Sequence, residues 1–485
     1  MKKQKISLEK AYLPQKTEDK IYKLWEKSRY FNPDNLPFPK TAKSHSIAMP
    51  LPNVTGELHL GHAVTMTIED LLTRFRRMQG YRALWIPGTD HAGIATQVMV
   101  EKELAKEGKT RWDLGREKFL KRVWKYKEKS EKKIISQIKK MGASCDWSRY
   151  HFTLDKDLSE AVDQAFVRLY KDGLIYKGER IINWCPRCQT VLSDLEVAYK
   201  EEKSKLWYIK YPLKTQNSKL KSITVATTRP ETMLGDTAVA VNPKDKRYKK
   251  LLNKKIVLPL MKREIPVIQD FRVDPEFGTG AVKVTPAHDA TDFEIGQEHK
   301  LETIQVIGKD GKMTKEAGKF SGLSISKARE KIIEELKKQG LLEKIEDYTH
   351  SVGHCYRCGR TLESLISQQW FVKIKPLAKK AIEAVKKGKI KIIPKRFEKV
   401  YFNWMENIKD WCISRQIWWG HRLPVWYKNK RLAVGKKPKE KGWVQETDTL
   451  DTWFSSSLWT FSTLGWPKKT ADLSHFHPTS VMETG

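Results

Sequence analysis

The chain has 485 residues, more than one ordinary hydrophobic core accommodates, so several domains are expected. Lys and Arg number 92 against 58 Asp and Glu, and this formal charge of +34 favours a nucleic-acid partner over a merely solvated, lysine-rich surface. The sequence contains no apolar run of roughly 18 residues, and its first residues, MKKQKISLEK, lack an apolar signal core. These features exclude a membrane-spanning or secreted protein and predict a cytoplasmic one.

The first predicted elements follow an N-terminal helical arm, residues 1–45. Residues 46–52 read as a short strand that ends at two prolines, and residues 83–88, ALWIPG, read as a second strand. Between them, from Glu57, apolar residues recur at helical spacing until Gly80, namely Val64, Ile68, Leu71, Leu72, Phe75 and Met78. This βαβ pattern predicts an α/β fold whose parallel sheet has a binding crevice at the carboxyl ends of its strands.

The remaining chain alternates between helical and β-rich segments. Residues 101–140 are dense in Lys and Glu and predict exposed helices. After Cys188, short runs such as SITVATT, TAVAVNP and GAVKVTPAHD are separated by Gly, Pro and Asp, as in a small β-barrel. Helical periodicity returns at 325–339. We therefore predict a domain at 46–189, a β-barrel-like insert at 190–350, and a return to the first domain at 351–485.

Four of the six cysteines form two pairs, Cys185 with Cys188 and Cys355 with Cys358. In a reducing compartment such pairs favour thiolate ligands over disulfides, and four thiolates complete a tetrahedral zinc site. One structural zinc ion could hold both pairs if the ends of the insert return to one place. Free thiols, or loops that have lost a metal, are the alternatives. Cys145 and Cys412 stand alone and are interpreted as buried small apolar residues.

The segment His59-Leu60-Gly61-His62 lies where the first strand gives way to a helix. A helix start presents unpaired N–H groups to a phosphate, and two histidines three residues apart share one helix face. Their ring N–H groups could stabilise charge growing on an α-phosphate, and Gly61 would admit a base or ribose close to the backbone. If this tetrapeptide is considered without its surroundings, the alternative to a phosphate site is a pair of ordinary surface histidines.

Several longer stretches carry a family resemblance. PNVTGELHLGHA, IPGTDHAGIATQ, ISRQIWWGHRLPVWY and DTWFSSSLWTFSTLGWP, together with the terminal METG, resemble the class I aminoacyl-tRNA synthetases, and within them the valine-specific branch. The hexapeptide 88–93, GTDHAG, is the most discriminating stretch, because the branches for isoleucine and leucine lack it. The resemblance implies a Rossmann-like catalytic domain that is split by an inserted, β-barrel-like editing domain.

The resemblance also implies a reaction and its residues. Valine would attack the α-phosphate of ATP, which is used with Mg²⁺, and the valyl group would pass to tRNA(Val). His59, Gly61 and His62 would then bind ATP, and the residues around valine would be Pro52, Asn53, Asp90 and Trp453. Asp90 would pair with the ammonium group; for Trp453, ordinary core packing is the alternative. The family usually has three successive prolines where this chain has Pro50-Leu51-Pro52, so Leu51 puts the shape of the pocket in question.

Valine and threonine have nearly the same shape, and valyl-tRNA synthetase is itself the standard example of an apolar pocket that needs a second, hydrolytic sieve. TTRPETMLGDTAVAVNP and GTGAVKVTPAHDATDF resemble the family's editing domain. The resemblance implies an editing site made of Arg229, Thr232, Lys283, Thr285, Asp289 and Asp292. Asp292 is expected to hold the ammonium group of a misattached threonine, whereas helix capping is the alternative for Asp289 and Asp292.

One family signature, Lys-Met-Ser-Lys-Ser, occurs nowhere in the sequence, which stops at VMETG. The sequence therefore predicts an N-terminal portion of a longer, monomeric valine–tRNA ligase. The alternative is a tRNA-binding or deacylating module without ligase activity. A cytidylyltransferase sharing the two-histidine motif would explain neither the editing motifs nor SRQIWWGH.

Overall fold

The computed structural model of the protein describes residues 11–214, 221–252 and 254–483. The chain divides into two compact units, Met1–Ile175 with Ile417–Gly485, and Tyr176–Gln416. The first ten residues, MKKQKISLEK, and the last two residues of METG lie outside the described residues. The part of the predicted helical arm, residues 1–45, that is described contains one α-helix, Pro14–Ser28. Within the described ranges, no helix is long and apolar enough to cross a membrane.

The first unit begins with most of its helices. In chain order its elements are α1 (Pro14–Ser28), β1 (Ser44–Ala48), α2 (Leu60–Met78), β2 (Arg82–Ile86), β3 (Gly88–Thr89), α3 (Gly93–Lys106), α4 (Arg111–Leu114), α5 (Arg116–Lys140), β4 (His151–Phe152) and α6 (Lys156–Lys171).

The second unit is richer in strands. Its elements are β5 (Ile175–Cys185), β6 (Thr190–Leu192), β7 (Val197–Pro212), β8 (Ser222–Thr227), β9 (Ala238–Val241), β10 (Lys255–Val257), β11 (Glu264–Gln269), β12 (Ala281–Val284), α7 (Ala290–Glu298), α8 (Ile325–Lys338), β13 (Leu342–Cys355), β14 (Glu363–Val372), α9 (Lys375–Lys386), α10 (Glu398–Glu406), β15 (Trp411–Cys412) and β16 (Ser414–Arg415).

The chain then returns to the first unit with short elements only. These are β17 (Val425–Lys428), β18 (Arg431–Val434), β19 (Val444–Gln445), β20 (Thr449–Leu450), α11 (Thr452–Ser456), α12 (Trp459–Ser462) and α13 (Ala471–Phe476).

The βαβ unit predicted at the start of the chain is confirmed. Strands β1 and β2 pair in parallel from Ser44 opposite Arg82 to Ala48 opposite Ile86, and every residue of β2 is buried. Helix α2 connects them but begins at Leu60, three residues later than the apolar pattern predicts. The backbone N–H of Leu58 instead donates to the Gln137 side chain at 3.0 Å, and residues 57–59 are not helical.

The apolar stripe of α2 has the predicted spacing but faces solvent in the structure described. Val64, Leu71, Phe75 and Met78 are 52 to 87% exposed. The buried residues of the helix are instead Met66, Glu69 and Thr73. Helical periodicity therefore identified the helix correctly, whereas the face that packs on the core of this unit is a different one.

The second unit confirms the mixed α/β class. Among the described residues all strands of this unit except β16 form three sheets, with the orders β10-β11-β9-β12, β13-β7-β8 and β15-β14-β5-β6. These three sheets do not close into one barrel. One core, which includes Ile209, Val225, Val239 and Ile332, packs the sheets against each other and against α8. Strands β7 and β13 form a long antiparallel ribbon that runs from Val197 opposite Cys355 to Ile209 opposite Leu342. This ribbon places the start and the end of residues 197–355 side by side.

Candidate functional site

The two histidines of the segment 59–62 cap the amino end of α2. Nδ1 of His59 accepts a hydrogen bond from the N–H of Gly61 at 3.1 Å, and Nδ1 of His62 accepts one from the N–H of His59 at 3.2 Å. The two ring centroids lie 3.9 Å apart. A Cβ at position 61 would lie 2.9 Å from the His59 ring, so glycine is the residue that lets this ring fold back over the helix start.

This capping arrangement determines which nitrogen of the His62 ring carries a proton. Burial and, after it, neighbouring His59 lower the pKa of His62, so this ring is neutral near pH 7. A neutral imidazole that accepts through Nδ1 carries its proton on Nε2. The Nε2–H of His62 is therefore available to donate to an anion at the helix start, where the helix dipole also attracts negative charge.

The segments that follow β1 and β2 are joined at their backbones. The N–H of Asp90 donates to the carbonyl of Pro52 at 2.9 Å, and the N–H of Val54 donates to the carbonyl of Asp90 at 3.1 Å. Asn53 and Asp90 thereby form a parallel bridge. The structure thus brings together three of the residues expected around the amino acid, Pro52, Asn53 and Asp90, beyond the carboxyl ends of two parallel strands.

The carboxylate of Asp90 is buried and held in place by several donors. It accepts from the N–H of Ala92 at 2.8 Å and from the hydroxyl of Ser456 at 2.6 Å, and Nδ1 of His91 lies 3.2 Å away. Burial works to raise the pKa of Asp90, but the hydrogen bonds from His91, Ala92 and Ser456 outweigh it and leave the pKa below the ordinary value. Asp90 is therefore an ionised carboxylate, which suits an ammonium ligand.

Trp453 lies on α11, which is tied to the segment after β2. The N–H of Gly93 donates to the hydroxyl of Thr452 at 2.9 Å, and Ser456 at the end of the same helix reaches Asp90. The side chain of Trp453 is 58% exposed, so it is not an ordinary core residue. Trp453 is about one helical turn from Ser456, the residue that contacts Asp90. This position is compatible with the predicted role of Trp453 as a wall of the pocket.

Within the second unit, Lys283 and Thr285 are part of a buried polar network. Nζ of Lys283 donates to the hydroxyl of Thr285 at 2.6 Å, and that hydroxyl donates to Oδ1 of Asp236 at 2.5 Å. The hydroxyl of Tyr211 donates to the other oxygen of Asp236 at 2.7 Å. Burial raises the pKa of Asp236 overall, although the nearby Lys283 lowers it. The single proton of the Thr285 hydroxyl is thus committed to Asp236, and what this hydroxyl can still offer is a lone pair.

The two aspartates of the predicted editing site have different surroundings. The side chain of Asp289 caps α7 by accepting from the N–H groups of Thr291 and Asp292 at 2.8 and 3.0 Å, which is the capping alternative. Asp292 is buried and accepts from the N–H of Thr285 at 2.8 Å. Burial raises the pKa of Asp292 to about 7, although Lys283 lowers it. Asp292 therefore belongs with Lys283 and Thr285, whereas Asp289 holds the helix start.

Arg229 lies in a buried ion cluster. Its Nε donates to Glu231 at 2.9 Å and its terminal nitrogen reaches Glu363, while Arg329 donates twice to Glu231, at 2.8 and 2.9 Å. Burial raises the pKa of Glu231, but the positive charge of Arg229 lowers it more, and the resulting pKa is about 2. Thr232 is also buried, and its hydroxyl donates to the carbonyl of Arg229 at 3.0 Å. In this structure Arg229 and Thr232 mainly bind neighbours within their own turn and ion cluster.

The four paired cysteines come together. The sulfur atoms of Cys185, Cys188, Cys355 and Cys358 all lie within 4.8 Å of one another, although 167 residues separate the two pairs along the chain. The β7–β13 ribbon explains this, because Cys355 is its last residue and lies opposite Val197. Four clustered thiols without a disulfide fit a tetrahedral zinc ion. The two remaining cysteines, Cys145 and Cys412, are buried as predicted.

Sequence reasoning missed five residues of the networks around Asp236 and Glu231, namely Tyr211, Glu231, Asp236, Arg329 and Glu363. Glu231 and Asp236 stand inside the motif TTRPETMLGDTAV, so charged residues in a β-rich, otherwise apolar motif were an available signal. Tyr211 and Glu363 lie in strands β7 and β14, far from that motif in the sequence, and no local pattern connects them to it. Only the folded sheets bring them to Asp236 and Arg229.

Comparison with known proteins agrees with this geometry. The profile of the family described as tRNA synthetases class I (I, L, M and V) matches residues 20–444 and 431–485. The chain belongs to this family. Family membership confirms the resemblance to the class I aminoacyl-tRNA synthetases.

Individual relatives are valine-specific by name. The chain is 55% identical over 489 residues to the valine–tRNA ligase of Carboxydothermus hydrogenoformans and 54% identical over 488 residues to that of Thermotoga maritima. Each comparison covers 99% of this chain but only 55 to 56% of the relative, so the chain spans about half the length of these family members. A solved Agrobacterium radiobacter LeuRS–tRNA–LeuAMS complex aligns with 93% of this chain and 60% of its own, at 17% identity and a TM-score of 0.45.

Proposed function

We propose that the chain provides the valine-activating and editing regions of a valine–tRNA ligase. One observation carries the proposal. Asp90, an ionised and buried carboxylate, is bridged to Asn53 in the segment after β1, and this segment leads into the two capping histidines. The proposed anion site and the proposed ammonium site would thereby belong to two segments that are bridged to each other. Activation of an amino acid by ATP requires this combination of charges.

The chemistry expected at this crevice is positioning and charge stabilisation. Asp90 would hold the ammonium group of valine so that its carboxylate points to the α-phosphate of ATP. The Nε2–H of His62, and the helix start behind it, would stabilise negative charge on the phosphate as the oxygen of valine attacks and pyrophosphate leaves. Mg²⁺ would enter bound to the phosphates of ATP.

Valine-dependent exchange of pyrophosphate into ATP tests the proposal. Exchange that requires valine, and that is lost when His59 and His62 are both replaced by alanine, supports valine activation. A chain that hydrolyses threonyl-tRNA(Val) but shows no exchange would instead be the deacylating module. If the chain shows neither pyrophosphate exchange nor hydrolysis of threonyl-tRNA(Val), both functions are refuted.

We further propose that Lys283, Thr285 and Asp292 form the centre of a hydrolytic editing site for threonyl-tRNA(Val). The support is the arrangement of donors and acceptors. The Thr285 hydroxyl donates its proton to Asp236, so it can only accept from a ligand hydroxyl such as that of threonine, which valine lacks. Asp292 lies beside it as a candidate partner for the ammonium group. Arg229, Thr232 and Asp289 would then support the site by holding its turn, its ion cluster and the start of α7.

The raised pKa of Asp292 gives this editing proposal a pH dependence. If the ionised carboxylate binds the ammonium group, deacylation of threonyl-tRNA(Val) is expected to increase as the pH rises through about 7. Asp292→Asn keeps an acceptor for the N–H of Thr285 but removes the charge, so we expect deacylation to fall at least tenfold and to lose this pH dependence. Initial rates of deacylation between pH 6 and 8.5 measure both effects. Unchanged rates in the Asn and Ala variants would contradict the assignment of Asp292.

We also propose one structural zinc ion bound by Cys185, Cys188, Cys355 and Cys358. Zinc would tie the turn after β5 to the end of the β7–β13 ribbon and so hold the base of the insert. Metal analysis of the purified protein is expected to find about one zinc per chain. Cys358→Ser should lose most of this zinc and lower the unfolding temperature, whereas Cys412→Ser, which changes a cysteine outside the cluster, should retain it. Absence of zinc from the wild-type protein would reject this site.

A further inference from the structure

Residues 373–409, which we call the basic hairpin, comprise α9, α10 and the segment between them. They contain twelve Lys and Arg against three Glu, a net charge of +9 in 37 residues. All twelve cations are exposed. The basic hairpin therefore presents about a quarter of the net charge of the chain in less than a tenth of its length.

The cations of the basic hairpin differ from those of the other strongly basic helix, α5, in their partners. Five cations of α5 form ion pairs, four of them with acids of other segments, as Lys139 does with Glu26 and Lys140 with Asp19. In the basic hairpin, ion pairs with other described residues are found only for Lys386 and Lys387, at 3.7 and 3.5 Å. Exposed pairs at such distances contribute little, so most of this charge is available to an external partner.

The shape of the basic hairpin suits an extended polyanion. Helices α9 and α10 pack together and leave an open groove. Three lysines, Lys375, Lys379 and Lys386, outnumber the two acids, Glu383 and Glu406, among the residues that line it. From residue 375 to residue 386 the axis of α9 rises by roughly 16 Å. That length corresponds to about five successive phosphates of one strand of a nucleic-acid duplex.

Exposed aromatic residues lie among these cations. Phe397 and Trp404 are each 49% exposed, and the guanidinium of Arg396 lies 5.3 Å from the centre of the Phe397 ring. Cations bind the phosphate backbone and flat side chains stack on bases, and a surface that interleaves the two is typical of proteins that bind RNA.

We propose that the basic hairpin is a binding surface for the phosphate backbone of tRNA. The identity of the RNA rests on the proposed function, whereas the charge, the groove and the aromatic residues indicate a nucleic-acid backbone independently of it. Because the contacts are with phosphates, binding here contributes affinity and orientation and depends on salt, but it does not read sequence.

The test compares two triple variants with the same change of charge. Lys379→Glu, Lys391→Glu and Lys395→Glu alter the basic hairpin. Lys327→Glu, Lys331→Glu and Lys337→Glu alter α8, which is exposed at these positions but carries acids as well as cations. The dissociation constant of each protein for a labelled tRNA(Val) transcript is measured by fluorescence anisotropy as a function of salt, and thermal unfolding checks that both variants are folded.

For the basic-hairpin variant we expect at least tenfold weaker binding at low salt, with the slope of log K against log salt reduced by up to about 3. The α8 variant should stay close to the wild type in both. If both variants lose the same affinity for tRNA(Val), the effect is one of net charge alone. If the basic-hairpin variant loses no affinity, this surface does not bind the RNA. Either result overturns the proposal. The proposal is also overturned if the basic-hairpin substitutions abolish binding to phosphatidylserine vesicles but leave RNA binding intact, because the surface would then bind a membrane.

Failure of the proposed function is distinguishable from failure of this surface. The basic-hairpin substitutions lie outside the activation crevice, so valine-dependent pyrophosphate exchange should be unchanged in that variant. A wild-type chain that shows no exchange, but whose RNA binding still depends on the basic hairpin, would refute valine activation and leave the surface standing.

Discussion

Replacing Asp90 with asparagine is expected to weaken the binding of valine by roughly 30- to 5,000-fold, the equivalent of about 2 to 5 kcal/mol for the loss of one partner of a buried charge pair. Asparagine keeps the acceptor that holds the N–H of Ala92, so the turn after β2 should survive. The negative charge that is proposed to neutralise the ammonium group of valine is lost. Titration calorimetry with valine measures the change directly, and pyrophosphate exchange should show it mainly as a raised KM.

Two serines on α11 provide a matched pair of controls for this result. Ser456→Ala removes the hydroxyl that donates to Asp90 at 2.6 Å, whereas Ser455→Ala removes one that donates to the carbonyl of Thr452. We expect an intermediate loss of valine affinity, about tenfold, from the first substitution and almost none from the second. Wild-type affinity in the Asp90→Asn variant would show that another group binds the ammonium and would remove the main support for valine activation at this crevice.

The second large effect is expected on stability, at the ion cluster of the strand-rich unit. Glu231 is fully buried between Arg229 and Arg329, and its pKa of about 2 lies below the ordinary 4.5. A depressed carboxyl pKa stabilises the fold above pH 4.5, and this stabilisation disappears as the pH falls through about 2. The shift corresponds to about 3 kcal/mol, similar to the cost of breaking a buried ion pair by removing one partner. Glu231→Gln should therefore lower the free energy of unfolding by about 3 kcal/mol at pH 7.

Urea denaturation of this unit at pH 7 and at pH 4 measures the effect of Glu231→Gln. The difference from the wild type should be largest at pH 7 and should begin to shrink at pH 4, since the wild-type cluster starts to lose its advantage below pH 4.5. Glu330→Gln is the control: Glu330 is next to Arg329 on α8 but exposed, so its replacement should change stability by less than about 0.5 kcal/mol. A loss of equal size in the control would show that helix charge, not the buried cluster, is responsible.

Local patterns in the sequence were sufficient to predict several parts of this structure. The βαβ unit follows from apolar spacing between two short strands, although the spacing did not show that the helix begins only after His59. The cysteine cluster was also predictable, because two Cys-x-x-Cys pairs have few uses in a reducing compartment, and an insert whose ends meet brings them together.

Other features could not be predicted because they depend on contacts between distant segments. Tyr211 reaches Asp236 only because β7 lies beside the strands that carry the predicted editing residues, and Glu363 reaches Arg229 from a strand 134 residues away. The buried face of α2 is another example: periodicity showed that residues 60–78 form a helix, but it could not show that Glu69 would be inside and Leu71 outside. Arg229 was assigned to ligand binding by its motif, while its ion pairs became visible only in the folded unit.

The β7–β13 ribbon also bears on how such a protein could have been assembled in evolution. Val197 and Cys355 are paired neighbours, and partners in an antiparallel ladder are separated by only about 5 Å. The whole excursion from one to the other could thus be gained or lost by a single genetic insertion or deletion, with a short turn sufficient to reseal the remaining chain. A module attached in this way can diverge at its own rate, since the backbone on either side of the junction does not have to move to accommodate it.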